Sequence, residues 1–488
     1  MKLGMFLHLY QPANQRKNIV EAVTNQCYLP LTKILLKSKP STKITINVNG
    51  SLLEILDKYN QHEVLNNLSA LAKNKKVEFT GSAKYHALLP FLNENQIKRQ
   101  INENIKTLKK YLSDDLELKG FFPPEMAIDQ KSIENIHKLG FKWILVDEIA
   151  HKGSIETVDN SKLYFESSTK AIVFFRNRRL SNLIMSGISR DINTISNSLK
   201  NEDFSDYLIA AMDGETFGHH RPGLMELFED LILNGPYEFK SLSEISQENY
   251  EYEAIQIVPS TWASSPKDIE NNIQFLSWSD PKNDIHKLQK QLSEFVCKKV
   301  EEYGSNEETL KLLDIALASD HYWWASAKPW WSIEMIEEGA YLFLQVLDSV
   351  KNITNEDLKY ARNLYQQIVY TAFDWQRSDK IRNMREIYGQ NQRIAFKDST
   401  SHEPWIYNAF IDMMKDLQMK AANNQEYEKA ILWRDAIYRI ENKLDVFEAI
   451  NAIDLLRTEI PHEEVEKMLD KYTEKFKKMR SGQPEQRD

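Results

Sequence analysis

The residues best suited to chemistry lie where apolar runs stop. Tyr207-Leu208-Ile209-Ala210-Ala211-Met212 breaks off at Asp213-Gly214-Glu215-Thr216-Phe217-Gly218-His219-His220-Arg221. A buried strand that ends on an acid, a glycine and a second acid delivers carboxylates to the rim of a sheet, where barrel enzymes keep their chemistry. Gly120-Phe121-Phe122-Pro123-Pro124-Glu125-Met126-Ala127 presents Glu125 in the same way, after two prolines that fix the backbone and leave few free donors. Two carboxylates so presented are the least that cleavage of a glycosidic bond requires.

Other strand ends add polar groups to the same rim. The first ends in His8-Leu9-Tyr10-Gln11-Pro12, the second in Asn49-Gly50-Ser51-Leu52-Leu53-Glu54, and the third in Gly81-Ser82-Ala83-Lys84-Tyr85-His86. Carboxylates, imidazoles and amides both accept from and donate to hydroxyl groups, so this pool suits a sugar. His8 and His86 read as substrate contacts, with Tyr10 and Phe122 beside them. Glu215 either orients a sugar hydroxyl or braces backbone N–H groups. Asp147 and Glu148, after the fifth apolar run, read as caps of the next helix, and Arg176-Asn177-Arg178-Arg179 reads as a solvated loop.

The same acids suit a divalent metal, which makes a metal-dependent polysaccharide deacetylase the natural competitor. A catalytic zinc site wants two or more histidines at a local spacing such as His-x3-His. Here His8 and His86 stand singly in their loops, and the adjacent His219 and His220 cannot both reach one centre from an extended backbone. No metal site and no organic cofactor is expected.

The elements that must position these groups follow from the periodicity. Strand-like runs at 3–7, 43–48, 76–79, 118–122, 141–146, 171–175 and 208–212 alternate with helical patterns such as 93–112, 129–139 and 191–199, with 255–258 closing the series. Repeated strand and helix predict an α/β fold, an incomplete (β/α)7 barrel over residues 1–280. Long helical periods follow at 284–304, 307–319, 333–350 and 355–374, predicting an all-helical region at 281–390 that packs on the barrel. A polar linker at 390–404 leads to a last helical section at 405–479 and a polar tail at 480–488.

Composition excludes several functions. With 488 residues, 42% hydrophobic, 27% charged and a net charge of -9, the chain has no global field favouring nucleic acid or an anionic membrane. No apolar stretch is long enough to span a bilayer, and Met1 leads directly into a strand with no leader pattern. Cys27 and Cys297 are far apart and match no metal spacing, which predicts two buried thiols in a reducing, cytoplasmic compartment.

Taken together, the motifs resemble those of glycoside hydrolase family 57. His8-Leu9-Tyr10-Gln11-Pro12 is similar to the family's His-x-His-Gln-Pro, with tyrosine in place of the second histidine, and Asn49 to Glu54 resembles its second motif loosely. The resemblance implies a nucleophile at Glu125, an acid/base at Asp213 from the Asp-Gly-Glu-x-Phe-Gly motif, and a further carboxylate and aromatic ring at Asp320 and Trp323 in Ala318-Ser319-Asp320-His321-Tyr322-Trp323-Trp324. It covers residues 1 to about 380 and implies a retaining α-glycoside hydrolase or glucan transferase of α-amylase, 4-α-glucanotransferase or branching type, acting on α-glucan or oligosaccharide. The competing classes are the deacetylase and a carbohydrate-binding homologue without turnover. Trp324, Trp330 and Trp331 stand at spacings that helix packing explains. Residues 413–441 are similar to the UVR motif, a helical hairpin for protein contacts, which implies a protein partner or self-association there.

Overall fold

The computed structural model describes residues 2–185, 192, 195, 207–221, 223–328, 330–384 and 406–442. The helix expected at 191–199, apart from 192 and 195, the linker at 390–404, the section beyond 442 and the tail lie outside the described residues. The chain forms two compact units, one of residues 1–178 with 205–385, the other of 179–204 with 386–488.

Among the described residues the first unit holds ten strands in two sheets. One sheet has the order β3-β2-β1-β8, from Val77–Phe79, Ile44–Val48, Lys2–Leu9 and Tyr207–Asp213, with β9, Glu238–Phe239, pairing the start of β1. Every pairing in it is parallel. The other has the order β10-β6-β7-β5-β4, from Glu251–Ile255, Lys162–Glu166, Ile172–Arg176, Trp143–Asp147 and Gly120–Phe121. Here β6 runs antiparallel to β7 and the remaining pairs are parallel. β1, β2, β5 and β8 are buried almost throughout, which accounts for their nearly unbroken apolar runs.

Backbone bonds also link the sheets. Gly81 N donates to Gly120 O at 2.9 Å, Phe122 N donates to Gly81 O at 2.9 Å, and Asn177 N donates to Ile209 O at 2.8 Å. Register then aligns polar groups at one level. His8 stands opposite Asn47 on one side and Asp213 on the other. Neighbouring parallel strands lie about 4.8 Å apart, so these three side chains share one rim.

Two expectations shift. The closing strand lies at Glu251–Ile255, where it pairs with β6; residues 256–259 leave the sheet, and Val258 N instead donates to Ala150 O at 3.0 Å. Pro259 has no donor to continue a ladder there. β6 and β9 lie outside the expected runs: β9 is two residues long, and β6 has only Leu163-Tyr164-Phe165 between Lys162 and Glu166.

Four long helices, Asp284–Tyr303, Glu307–Ala316, Ile333–Ser349 and Asn355–Arg377, follow the strands, close to the expected ranges. Each begins at a residue whose side chain accepts backbone N–H groups of the first turn: Asn283, Asn306, Ser332 and Thr354. The second of these stops at Ala316 because the chain turns into a short helix, Asp320–Trp323. Strand residues Phe121 and Val146 share one apolar core with Val296, Phe343 and Trp375 of these helices. In the second unit, helices Ile406–Asn423 and Tyr427–Asn442 pack on each other, burying Met413, Met414 and Trp433. No described helix is long and apolar enough to cross a membrane.

Candidate active site

Glu125 occupies a strained corner. Its φ of 59° and ψ of 17° lie in the left-handed region, and Met126 follows with φ 48°. A non-glycine residue there costs on the order of 1–3 kcal/mol unless its surroundings hold it. Pro123 and Pro124 fix the approach, and Met126 N and Ala127 N donate back to their carbonyls at 2.8 and 2.9 Å. From the far side, Trp262 N donates to Glu125 O at 3.2 Å, while Ile128 and Ser260 exchange bonds at 3.0 and 3.2 Å. The carboxylate is aimed by the same loop: Trp262 Nε1 donates to Glu125 Oε2 at 2.7 Å. His86 Nδ1 lies 3.8 Å from Glu125 Oε1.

Asp213 ends β8 beside His8. His8 Nδ1 pairs with Asn47 Oδ1 at 2.8 Å, His8 Nε2 faces His86 Nε2 at 3.1 Å, and His86 Nδ1 meets Ser319 Oγ at 3.0 Å. Tyr10 stacks on His86 with ring centroids 4.1 Å apart, and its hydroxyl donates to Asp320 Oδ2 at 2.6 Å. Tyr10 and Asp320 also line a cleft with Pro12, Tyr85 and Met335.

Glu215 Oε1 accepts Tyr10 N at 3.1 Å and the Tyr28 hydroxyl, which pins the first loop. Phe122 is wholly buried, 4.7 Å from the His8 ring and 6.1 Å from that of Trp262, and forms the floor under the carboxylates. Trp323 is half-buried, packs near Leu88 and Ala127, and stacks on the exposed Trp330 at 4.5 Å.

Burial dominates the electrostatics. Desolvation raises Glu125 to about 8, with the Asp213 charge adding to the shift and the Trp262 N–H opposing it. Asp213 rises to about 6 through desolvation, held back by Arg176. Burial also lifts Glu215 to about 8 and Asp320 to about 6, and lowers His8 to about 4, so the imidazoles are neutral near pH 7. Between about 6 and about 8 the Glu125 and Asp213 pair therefore holds one proton, and its two values belong to the pair.

The structure gathers His8, Tyr10, His86, Glu125, Asp213 and Asp320 around one centre, with Glu215 and Phe122 behind it. Trp262 and the arginines escaped the sequence reading. Trp262 follows the 255–258 run, and pooling its flank as a strand end would have found it. Arg176 is buried, not solvated: its Nη1 donates to Asp147 at 3.0 Å and its Nε to Ala211 O at 2.8 Å. Asp147 does accept Ile149 N as a cap, yet its main load is Arg176 and Arg178. Cys27 is buried, whereas Cys297 is only half-buried. Among the described residues no three His, Cys, Asp or Glu side chains converge to hold a metal ion.

Half-buried carboxylates, imidazoles and aromatic rings gathered at the strand ends of an α/β scaffold are groups suited to binding a sugar. The chain belongs to glycosyl hydrolase family 57, whose model it matches over residues 5–258, more than half its length. No curated protein matches it. Among solved structures it is similar to the 4-alpha-glucanotransferase of Thermococcus litoralis, with 18% identity, TM-score 0.56, 72% of this chain covered and 59% of that one. It thus spans well under two thirds of that enzyme. It is also similar to a branching enzyme of Pyrococcus horikoshii, with 15% identity, TM-score 0.57 and coverage of 75% and 94%. A third, a branching enzyme of Thermococcus kodakaraensis in complex with glucose, gives 15% identity, TM-score 0.55 and coverage of 76% and 96%. At these identities the likeness is one of fold.

Proposed function

We propose that the chain is a retaining enzyme acting on α-glucans, with Glu125 as nucleophile and Asp213 as acid/base. The observation that carries this reading is the pair of half-buried carboxylates at two strand ends, Glu125 and Asp213, with Glu125 aimed by the Trp262 indole. Glu125 attacks the anomeric carbon while Asp213 gives its proton to the departing glycosidic oxygen, so the C–O bond breaks as the glycosyl ester forms. Asp213, now ionised, takes a proton from water or from a sugar hydroxyl, which attacks the ester and frees Glu125. Glu125 has the higher value, so the pair's single proton rests mainly there; the productive form is the minor one with the proton on Asp213, which Trp262 favours by donating to ionised Glu125. Retention places the two carboxyl groups about 5 to 5.5 Å apart.

His8, His86, Tyr10 and Asp320 contact the sugar in this account, and Trp323 offers a ring to an adjoining one. Seven strands, β1, β2, β3, β4, β5, β7 and β8, form the barrel, with the bonds at Gly81 and at Asn177 as its two seams. Residues 281–390 complete the site through Asp320, and the 405–479 section, with its 413–441 hairpin, serves protein contact. The enzyme works in the cytoplasm and needs no metal or organic cofactor.

Transferase, branching and hydrolytic activities share this chemistry and differ in the acceptor. Incubation with maltooligosaccharides and with amylose, with products resolved by length and linkage, distinguishes them: longer chains mean transfer, new α-1,6 links branching, and shorter chains alone hydrolysis. Unchanged α-glucans with wild type, and equal behaviour of Glu125→Gln, would remove the proposal.

A further inference from the structure

One buried carboxylate, Asp147, holds two arginines on the side of the site away from His8. Its Oδ2 accepts Arg176 Nη1 at 3.0 Å and its Oδ1 lies 2.8 Å from Arg178 Nη2. The Arg178 guanidinium is thereby fixed, and its Nη2 also donates to the carbonyl oxygens of Trp262 and Ser264, each at 3.0 Å. Glu148 holds the same residue from its backbone, accepting Arg178 N at 2.9 Å. The loop that Arg178 grips is the one that closes on Glu125: Trp262 N donates to the Glu125 carbonyl and Trp262 Nε1 to its carboxylate.

We propose that Arg178 is a positioning residue for Glu125, acting through Trp262. Its guanidinium ties the 261–264 loop to the buried Asp147 and so sets the indole N–H against the carboxylate. This rests on the reading of Glu125 as nucleophile. Several features favour positioning over general support. Arg178 holds two carbonyls of one loop through Nη2 while its Nε donates to Asp147 Oδ2 at 3.2 Å, a rigid spread of donors that a lysine ammonium copies only loosely. Glu125 sits in a strained backbone conformation, and the loop supplies both its backbone clip and an indole donor to its carboxylate. A small displacement of that loop moves the attacking oxygen, to which rate is steeply sensitive.

The sign of the effect follows from the donor. Trp262 N–H stabilises ionised Glu125, and the nucleophile must be ionised. Losing the donor makes Glu125 harder to ionise, so the limb of kcat/KM near 8, where Glu125 gives up its proton, moves to higher pH and the plateau falls as less of the pair carries its proton on Asp213. The test is the pH profile of kcat/KM on a maltooligosaccharide for wild type, Arg178→Met, Arg178→Lys, Trp262→Phe and the double variant Arg178→Met with Trp262→Phe, each first verified as folded by thermal melting. Both Arg178→Met and Trp262→Phe are expected to move the alkaline limb upward by about one pH unit, the worth of one hydrogen bond to a charged group, and to lower the plateau. The double variant is expected to move it no further than either single change, since both remove one interaction. Arg178→Lys is expected to fall between wild type and Arg178→Met. An alkaline limb unmoved in folded Arg178→Met, or unmoved in Arg178→Lys should Arg178→Met not fold, overturns the proposal, as does a double variant whose shift is the sum of the two. Full activity of Glu125→Gln in the same assay would instead overturn the reading of the nucleophile, leaving the two failures distinct.

Discussion

At Glu125 and Asp213, two acids compete for charge in a pocket that disfavours it, and the pH dependence of turnover follows directly. The active form of the free enzyme carries one proton on the pair. kcat/KM is therefore expected to fall below about 6, where both acids are protonated, and above about 8, where both are ionised, giving a bell. A monotonic profile across this window would contradict the paired assignment. Asp213→Asn keeps the shape but cannot shuttle a proton, and kcat is expected to drop about 10²- to 10⁴-fold in steady-state assays. Much of this residue-scale picture was legible beforehand, because Asp213 and Glu125 each follow an apolar run and so announce a strand end. Partners set by tertiary folding were not. The hydrogen bond from Tyr10 to Asp320 joins residues 310 positions apart, and nothing local marks it. Arg176 and Arg178 looked solvated because a run of charge reads as surface; the acid that buries them, Asp147, lies about thirty residues earlier.

Among the elements, close packing decides where the rim groups sit. Gly339 lies inside the helix Ile333–Ser349, and a Cβ there would fall 2.3 Å from the His321 side chain, next to Asp320. Helix propensity alone favours alanine over glycine by about 1 kcal/mol. The contact reverses that sign, so Gly339→Ala is expected to lose about 1–3 kcal/mol in urea denaturation. A variant as stable as wild type or more so would show that the short helix bearing Asp320 yields freely. Long elements were readable from periodicity: the helices Asp284–Tyr303 and Asn355–Arg377 combine apolar spacing with an Asn or Thr cap. β4 is only two residues long, and β6 has only Leu163-Tyr164-Phe165 between two charged ends, so local pattern carries little information for either. Their place is dictated by neighbours, β5 for the first and β7 with β10 for the second.

For the whole molecule, the continuous apolar core linking strands to the helices after residue 280 has a thermodynamic consequence. Unfolding of residues 1–178 with 205–385 is expected to be one cooperative event, with loss of activity and loss of helical circular dichroism from this unit coinciding on heating. Activity lost well before that signal would mean that the helical region separates from the strands. The boundary near 280 was drawn from a change of texture, strand-like to helical, which records secondary structure and is blind to whether a core continues across it. The family, by contrast, was legible in short motifs at strand ends, because function is concentrated there. The account as a whole turns on a covalent glycosyl ester at one named carboxylate. Incubation with an activated 5-fluoro-α-glucosyl fluoride, followed by proteolysis and mass spectrometry, reads that ester directly. The expected result is a single glycosyl adduct on the peptide carrying Glu125, absent from Glu125→Gln; an active enzyme labelled on another residue, or equally in Glu125→Gln, would contradict the account.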